Sequence, residues 1–157
     1  MSHSISITRY PYEEPYHLRL VIGASNGRLR GQLEFYTNPD ALTQIADELE
    51  VFPRFASAVH LWELGSERIE DRIACYFRFR LFTTDSAGHC AIQLRFNNNG
   101  NLPVREISEF CLFAEPTGLK RLGKLFREFA KLEHEVLHWT PSEGKLFRSR
   151  EEAEQGV

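Results

Sequence analysis

Apolar and polar residues alternate along much of this chain, and in two places the alternation gives way to a helical stripe. Leu18, Leu20 and Ile22 alternate with His17, Arg19 and Val21. After Asn26-Gly27, Leu29, Gly31, Leu33 and Phe35 alternate with Arg30, Gln32, Glu34 and Tyr36. A period of two on both sides of an Asn-Gly pair predicts a hairpin with one apolar face. Asn38-Pro39-Asp40 then starts a helix: Asn38 can accept a backbone N–H, Pro39 needs no donor at the first helical position, and Asp40 suits the positive end of the dipole. Its core face is Leu42, Ile45, Ala46, Leu49 and Phe52, and Pro53 ends it. Val59, Leu61 and Glu63 alternating with His60, Trp62 and Leu64 predict a strand that stops at Gly65-Ser66, before a charged loop over residues 67–72.

The strongest strand signal lies in the middle of the chain. Ile73, Cys75, Phe77, Phe79 and Leu81 form one face and Tyr76, Arg78, Arg80 and Phe82 the other. After Asp85-Ser86-Ala87-Gly88, Cys90, Ile92, Leu94 and Phe96 oppose Gln93 and Arg95. A polar loop leads to a strand over residues 104–114. Pro116 then opens a second helix with Leu119, Leu122, Leu125, Phe126, Phe129 and Leu132 on one stripe, where Gly123 offers a close-packing spot.

Two stretches echo each other 77 residues apart, and the echo includes the only two tryptophans, Trp62 and Trp139. In the same register Phe35 falls on Leu112, Pro39 on Pro116, Leu42 on Leu119, Ala46 on Gly123 and Phe52 on Phe129. Asn26-Gly27 and Asn99-Gly100 precede the two units at an offset of 73, as a loop insertion would cause. A duplication and convergent patterning predict the same local structure. The expected architecture is a two-layer α+β domain over residues 17–141. It has one mainly antiparallel seven-stranded sheet and two helices on one face, in the order ββαβ-β-ββαβ. Residues 1–16 read as an extended arm and residues 142–157 as a polar mobile tail. The uncovered face would present Arg19, Arg30, Arg78, Arg80 and Arg95 with Gln32, Gln93, Tyr36 and Tyr76.

The 157 residues, 42% apolar with twelve Phe, suit one ordinary globular core. A formal charge of −3 argues against a protein dominated by phosphate contacts. The chain has no long apolar run and its start lacks a signal-peptide pattern, so a cytoplasmic location with no membrane partner is expected. Cys75, Cys90 and Cys111 are widely spaced in apolar stretches and suit buried reduced thiols rather than a zinc cluster.

One string looks catalytic. His134-Glu135-Val136-Leu137-His138 matches H-E-x-x-H, whose two histidines bind zinc from one helical face while the glutamate polarises water. The echo aligns this string with Ser57-Ala58-Val59-His60-Leu61, which reads as a loop entering a strand. His134 and His138 then lie on a turn and an edge strand and cannot stack. Asp85 and His89 could form an acid/base pair, although Asp-Ser-Ala-Gly is ordinary turn chemistry. The acidic residues Glu67, Glu70 and Asp71 could dock a basic partner. Arginines beside aromatics on the open face resemble sheet-faced RNA binders, yet no RNP-type string is present.

Gly31-x3-Phe35-Tyr36, Leu42, Phe52-Pro53, Trp62-Glu63-Leu64-Gly65, Gly88-His89, Leu122-Gly123, Leu125-Phe126 and Trp139-Thr140-Pro141 resemble a group of small uncharacterised bacterial proteins. Some of that group are labelled immunity proteins that accompany secreted polymorphic toxins. The resemblance rests on scaffold positions over residues 17–141 and carries no catalytic signature. It implies a non-enzymatic protein that neutralises a toxin by binding it, with no cofactor and no metal. No residue roles carry over from the resemblance; the acidic loop and the arginine-bearing face supply the candidate contacts Glu67, Glu70, Asp71, Arg78, Arg80 and Arg95. A homodimer is compatible with this reading. A zinc enzyme through His134, Glu135 and His138, or nucleic-acid or small-ligand binding on the arginine face, is the alternative.

Overall fold

The computed structural model of the protein describes residues 2–156, so Met1 of the expected arm and Val157 of the expected tail lie outside the described residues. Nine strands and three helices follow one another as β1 (Ser4–Tyr10), β2 (Leu18–Ser25), β3 (Arg30–Thr37), α1 (Pro39–Leu49), β4 (Val59–Gly65), β5 (Tyr76–Thr83), β6 (Cys90–Asn97), β7 (Ile107–Ala114), α2 (Pro116–Phe129), β8 (Val136–Trp139), β9 (Gly144–Phe147) and α3 (Arg150–Gly156). The class is α+β, and every strand pairing is antiparallel.

The expected single seven-stranded sheet is instead two sheets, one in the order β3-β2-β1-β8-β9 and the other β4-β5-β6-β7. Alternation reveals which residues share a face of a strand; it carries no information on which strand lies alongside. The strand count rises because Ser4–Tyr10, read as an arm, lies between β2 and β8, and because Gly144–Phe147 pairs with β8. The third helix is the short, apolar-poor Arg150–Gly156, which has no buried residue to announce it.

The arrangement explains the echo. Each half runs through a three-stranded meander, a helix and a fourth strand. That fourth strand joins the other half's sheet: β4 pairs with β5, and β8 with β1. Ile22 lies between Ile7 and Leu33, just as Leu94 lies between Phe79 and Phe110. Phe79 and Leu94 stand 72 residues after Ile7 and Ile22, and Phe110 stands 77 after Leu33; the longer β6–β7 loop absorbs the difference. The pairing with the fourth strand slips by two residues between halves, which keeps the same side chains facing inward.

Both inward faces and both helices enclose one core. Phe35 of one sheet stacks on Phe77 of the other at 5.1 Å between centroids, and Trp62 meets Phe77 at 5.4 Å and Phe126 of α2 at 6.3 Å. The sheets come together at Gly31, where a Cβ would run into the Phe96 ring. Asn38 Oδ1 caps α1 by accepting from Ala41 N at 2.9 Å. Gly123 lets α2 lie against Ala46 and Leu49 of α1. Arg127 on α2 ties the pair by donating to Asp47 and Glu50 of α1.

Candidate functional site

The two sheets turn different chemistry outward. On the five-stranded sheet the outward positions at one end of β1 and β2 are small and polar, Ser4, Ser6, Gly23 and Ser25, while Tyr10, Arg19, Val21 and Tyr36 face outward toward the other end. Arg19, Arg30, Gln32 and Tyr36 lie on this sheet and not on the face that carries Arg78, Arg80 and Arg95, because the expected single open face is split between two sheets. Arg19 is engaged by Glu34 at 2.8 Å.

The four-stranded sheet carries a charged row and an apolar end. Register places Glu63, Arg78, Arg95 and Glu109 side by side across it. Two adjacent arginines would repel, and their surroundings remove the conflict. Arg95 pairs with Glu67 at 2.8 Å and Glu109 at 3.4 Å, while Arg78 donates to the Tyr76 hydroxyl at 3.0 Å and lies over its ring. Tyr76 in turn donates to Glu63 at 2.6 Å. Burial and the Glu63 carboxylate together raise the Tyr76 pKa and keep it a donor. One row further, Arg80 donates to Gln93 at 3.0 Å and lies over Phe82. Beyond it Val59, Phe82, Ala91 and Phe113 form an apolar row, with Val59 56% and Phe113 64% exposed.

The acidic loop does not present free carboxylates. Glu67 folds onto Arg95 and Asn97; partial burial works against its ionised form, but those two bonds hold its pKa below the ordinary range. Glu70 takes a bond from Arg68 at 3.0 Å, and Asp71 takes one from the Ser66 hydroxyl at 2.6 Å. Arg72 and Arg105 have no carboxylate partner among the described residues. They line a cleft of about 590 Å³ with Arg68, Arg95, Glu67 and Asn99 at the Tyr76–Ile107 end of the sheet. Ile69, 91% exposed, stands at its rim. This end of the molecule therefore offers positive charge and apolar surface.

The H-E-x-x-H string is not on a helix. His134 lies in the loop after α2, Glu135 at a bend and His138 on β8. β8 is an interior strand, not the expected edge, because β9 covers its far side. His138 Nδ1 lies 2.9 Å from the Ser6 hydroxyl, and Glu135 accepts from the Arg150 backbone N–H at 3.0 Å. Among the described residues, no group of three or more His, Cys, Asp and Glu side chains is placed to hold a metal ion.

Asp85 and His89 do meet, at 2.6 Å, and Asp85 also accepts from the Ala87 and His89 backbone N–H groups. All three thiols are free, and burial raises the pKa of each. Arg9, read as part of the arm, is 7% exposed. It donates to both Glu14 carboxylate oxygens and to the backbone carbonyls of Leu132 and His134. The Ile5-x-Ile7-x-Arg9 alternation was the signal that it points inward.

Comparison with protein-family models, curated proteins and solved structures found no match. Among the described residues, no helix is long and apolar enough to cross a membrane.

Proposed function

We propose that this chain is a non-enzymatic binding protein that docks one folded protein partner on the outward face of β4-β5-β6-β7 and the adjoining cleft. The observation that carries the reading is the contrast between the two outward faces. One has small polar residues across one end of β1 and β2 and Arg19, Val21 and Tyr36 at the other; the second groups the exposed Val59, Leu61, Ile107 and Phe113 around a charged row whose members are already held in place. Exposed apolar side chains grouped on one surface mark interaction sites, and arginine is enriched at protein interfaces. The arginines lose little side-chain freedom on binding because their neighbours already order them.

The resemblance to toxin-associated immunity proteins supplies the partner class, a toxin whose active surface is covered on binding. The self-paired acidic loop shifts the charge argument. Arg72 and Arg105 favour an acidic contact surface on the partner rather than a basic one. Co-purification with the product of a neighbouring gene tests the reading, together with protection of cells that express that product. Phe113→Glu and Arg72→Glu should each weaken capture at least tenfold while the far-UV spectrum is unchanged. Full capture and protection by both variants would rule out this face.

A further inference from the structure

Equivalent strands in the two halves have different surroundings. Trp139 on β8 is fully buried, whereas Trp62, its counterpart on β4, is only partly buried. The difference has a direct cause. β8 is bonded on both sides, by β1 and by β9, whose Gly144 lies opposite Trp139; β4 is bonded by β5 alone. The chain after β8 turns back as a strand. After β4 it enters the short 3-10 turn Ile69–Asp71 instead, and the place beside β4 that corresponds to β9 is open.

No residue of β4 is buried, and Leu61 is 46% exposed. The opposite edge of the same sheet is screened: Ser108 on β7 donates to the Arg30 carbonyl at 2.8 Å, and the Phe113 backbone N–H donates to His3 at 2.9 Å. β4 also lacks the devices that keep edges apart. Its sequence Val-His-Leu-Trp-Glu-Leu-Gly has no lysine and no proline, and its one carboxylate already accepts from Tyr76.

We infer that β4 is a self-association edge. The β4 strand of a second copy pairs antiparallel with it about a two-fold axis at Trp62, supplying from outside the cover that β9 gives β8 from within. A strand paired antiparallel with itself is two-fold symmetric, so one surface meets its own copy. Centring on Trp62, the midpoint of β4, engages all seven residues. Leu61 then faces Glu63 of the partner subunit, His60 faces Leu64 of the partner subunit, and Val59 faces Gly65 of the partner subunit; no like charges are opposed. Main-chain hydrogen bonds supply most of the attraction, as in other strand additions. The two four-stranded sheets become one eight-stranded sheet, and the outward faces proposed above for the toxin stay open.

Sedimentation velocity of the intact chain, alone, should show a reversible monomer–dimer equilibrium. Leu61→Glu, at an exposed position, sets two pairs of carboxylates against each other across the axis and should abolish the dimer with an unchanged circular dichroism spectrum. Adding Glu63→Lys turns each repulsion into an attraction only in this register, so the double variant should dimerise again. Independently of any variant, amide exchange over residues 59–65 should slow as concentration rises. The inference is overturned by a wild type that stays monomeric at its highest soluble concentration, a dimer indifferent to Leu61→Glu, a folded double variant that stays monomeric, or exchange that does not depend on concentration. Because no toxin is present, these outcomes are separate from those that test the binding face.

Discussion

At Asp85 and His89 an ion pair and a hairpin turn are built from the same carboxylate. One Asp85 oxygen accepts two backbone N–H groups and shapes the turn; the other binds the imidazole, which also lies 3.7 Å from Glu115. The bond to Asp85 is the main cause of the raised His89 pKa, and the bond to His89 is the main cause of the lowered Asp85 pKa. The signs define a window. The His89 contribution to stability is complete below the ordinary histidine pKa and is lost as pH rises through the raised value. The Asp85 contribution is present above the ordinary aspartate pKa and is lost as pH falls through the lowered one. Both groups are exposed, so the effect on stability is small and the titration itself is the readout. The His89 pKa, followed by proton NMR, should move down in Asp85→Asn; no movement would show that the contact is absent in solution. The turn chemistry was legible from Asp-Ser-Ala-Gly, and the ion pair was one of two readings the spacing allowed. Arg9 shares the inward face of Ile5 and Ile7, but that alternation says only where it points; its role depends on carbonyl and carboxylate partners that local pattern does not show. Those partners include Leu132 and His134, more than 120 residues away in sequence.

At the scale of elements, the helix pair turns on a size difference that the echo displays. Ala46 of α1 and Gly123 of α2 occupy matching positions, and the smaller residue lies where the helices touch. A Cβ on Gly123 would lie 2.8 Å from Glu50 Cγ and 3.0 Å from both the Ala46 carbonyl oxygen and Leu49 Cβ. Glu50 can swing away, but the α1 backbone cannot. Gly123→Val should therefore destabilise the fold by about 2 kcal/mol, overpacking outweighing the modest gain in helix propensity over glycine. Urea denaturation measures this, and a variant as stable as wild type would mean that the helices are free to separate. Helices and long strands were legible because each carries enough periodic positions to define a face: Phe77, Phe79 and Leu81 inward, Arg78 and Arg80 outward. β9 has only four residues, of which one is buried, and α3 has none. Such elements form because neighbours accept them: β9 has the edge of β8 to pair with, and Ser149 and Glu135 meet the first N–H groups of α3. Tertiary context of this kind leaves little trace in local pattern.

At the scale of the molecule, each half completes the other. The meander β1-β2-β3 takes its fourth strand, β8, from the second half, and β5-β6-β7 takes β4 from the first. The core follows the exchange, since Trp62 packs on Phe77 and Phe79 of the second half and Trp139 lies opposite Ile5 of the first. A polypeptide cut in the exposed turn at Ile69 should consequently remain one folded body, although no covalent bond then joins the halves. The fragments cannot part without leaving two three-stranded sheets with an open edge and an uncovered apolar face, and burial of that face is the main source of stability. A protease site inserted after Ile69 makes the experiment simple. Nicked protein should elute from gel filtration at the intact volume, unfold in a single cooperative transition at lower denaturant than the uncut chain, and separate into two pieces only once denatured. Separation of the nicked protein into two folded pieces without denaturant would contradict the exchange, because each half would then have to cover its own sheet with its own fourth strand. The segment between α1 and β4 would then have to let β4 turn back beside the first meander. With β4 seven residues long and the position beside β1 filled by β8, the structure gives that rearrangement no room while the halves stay together.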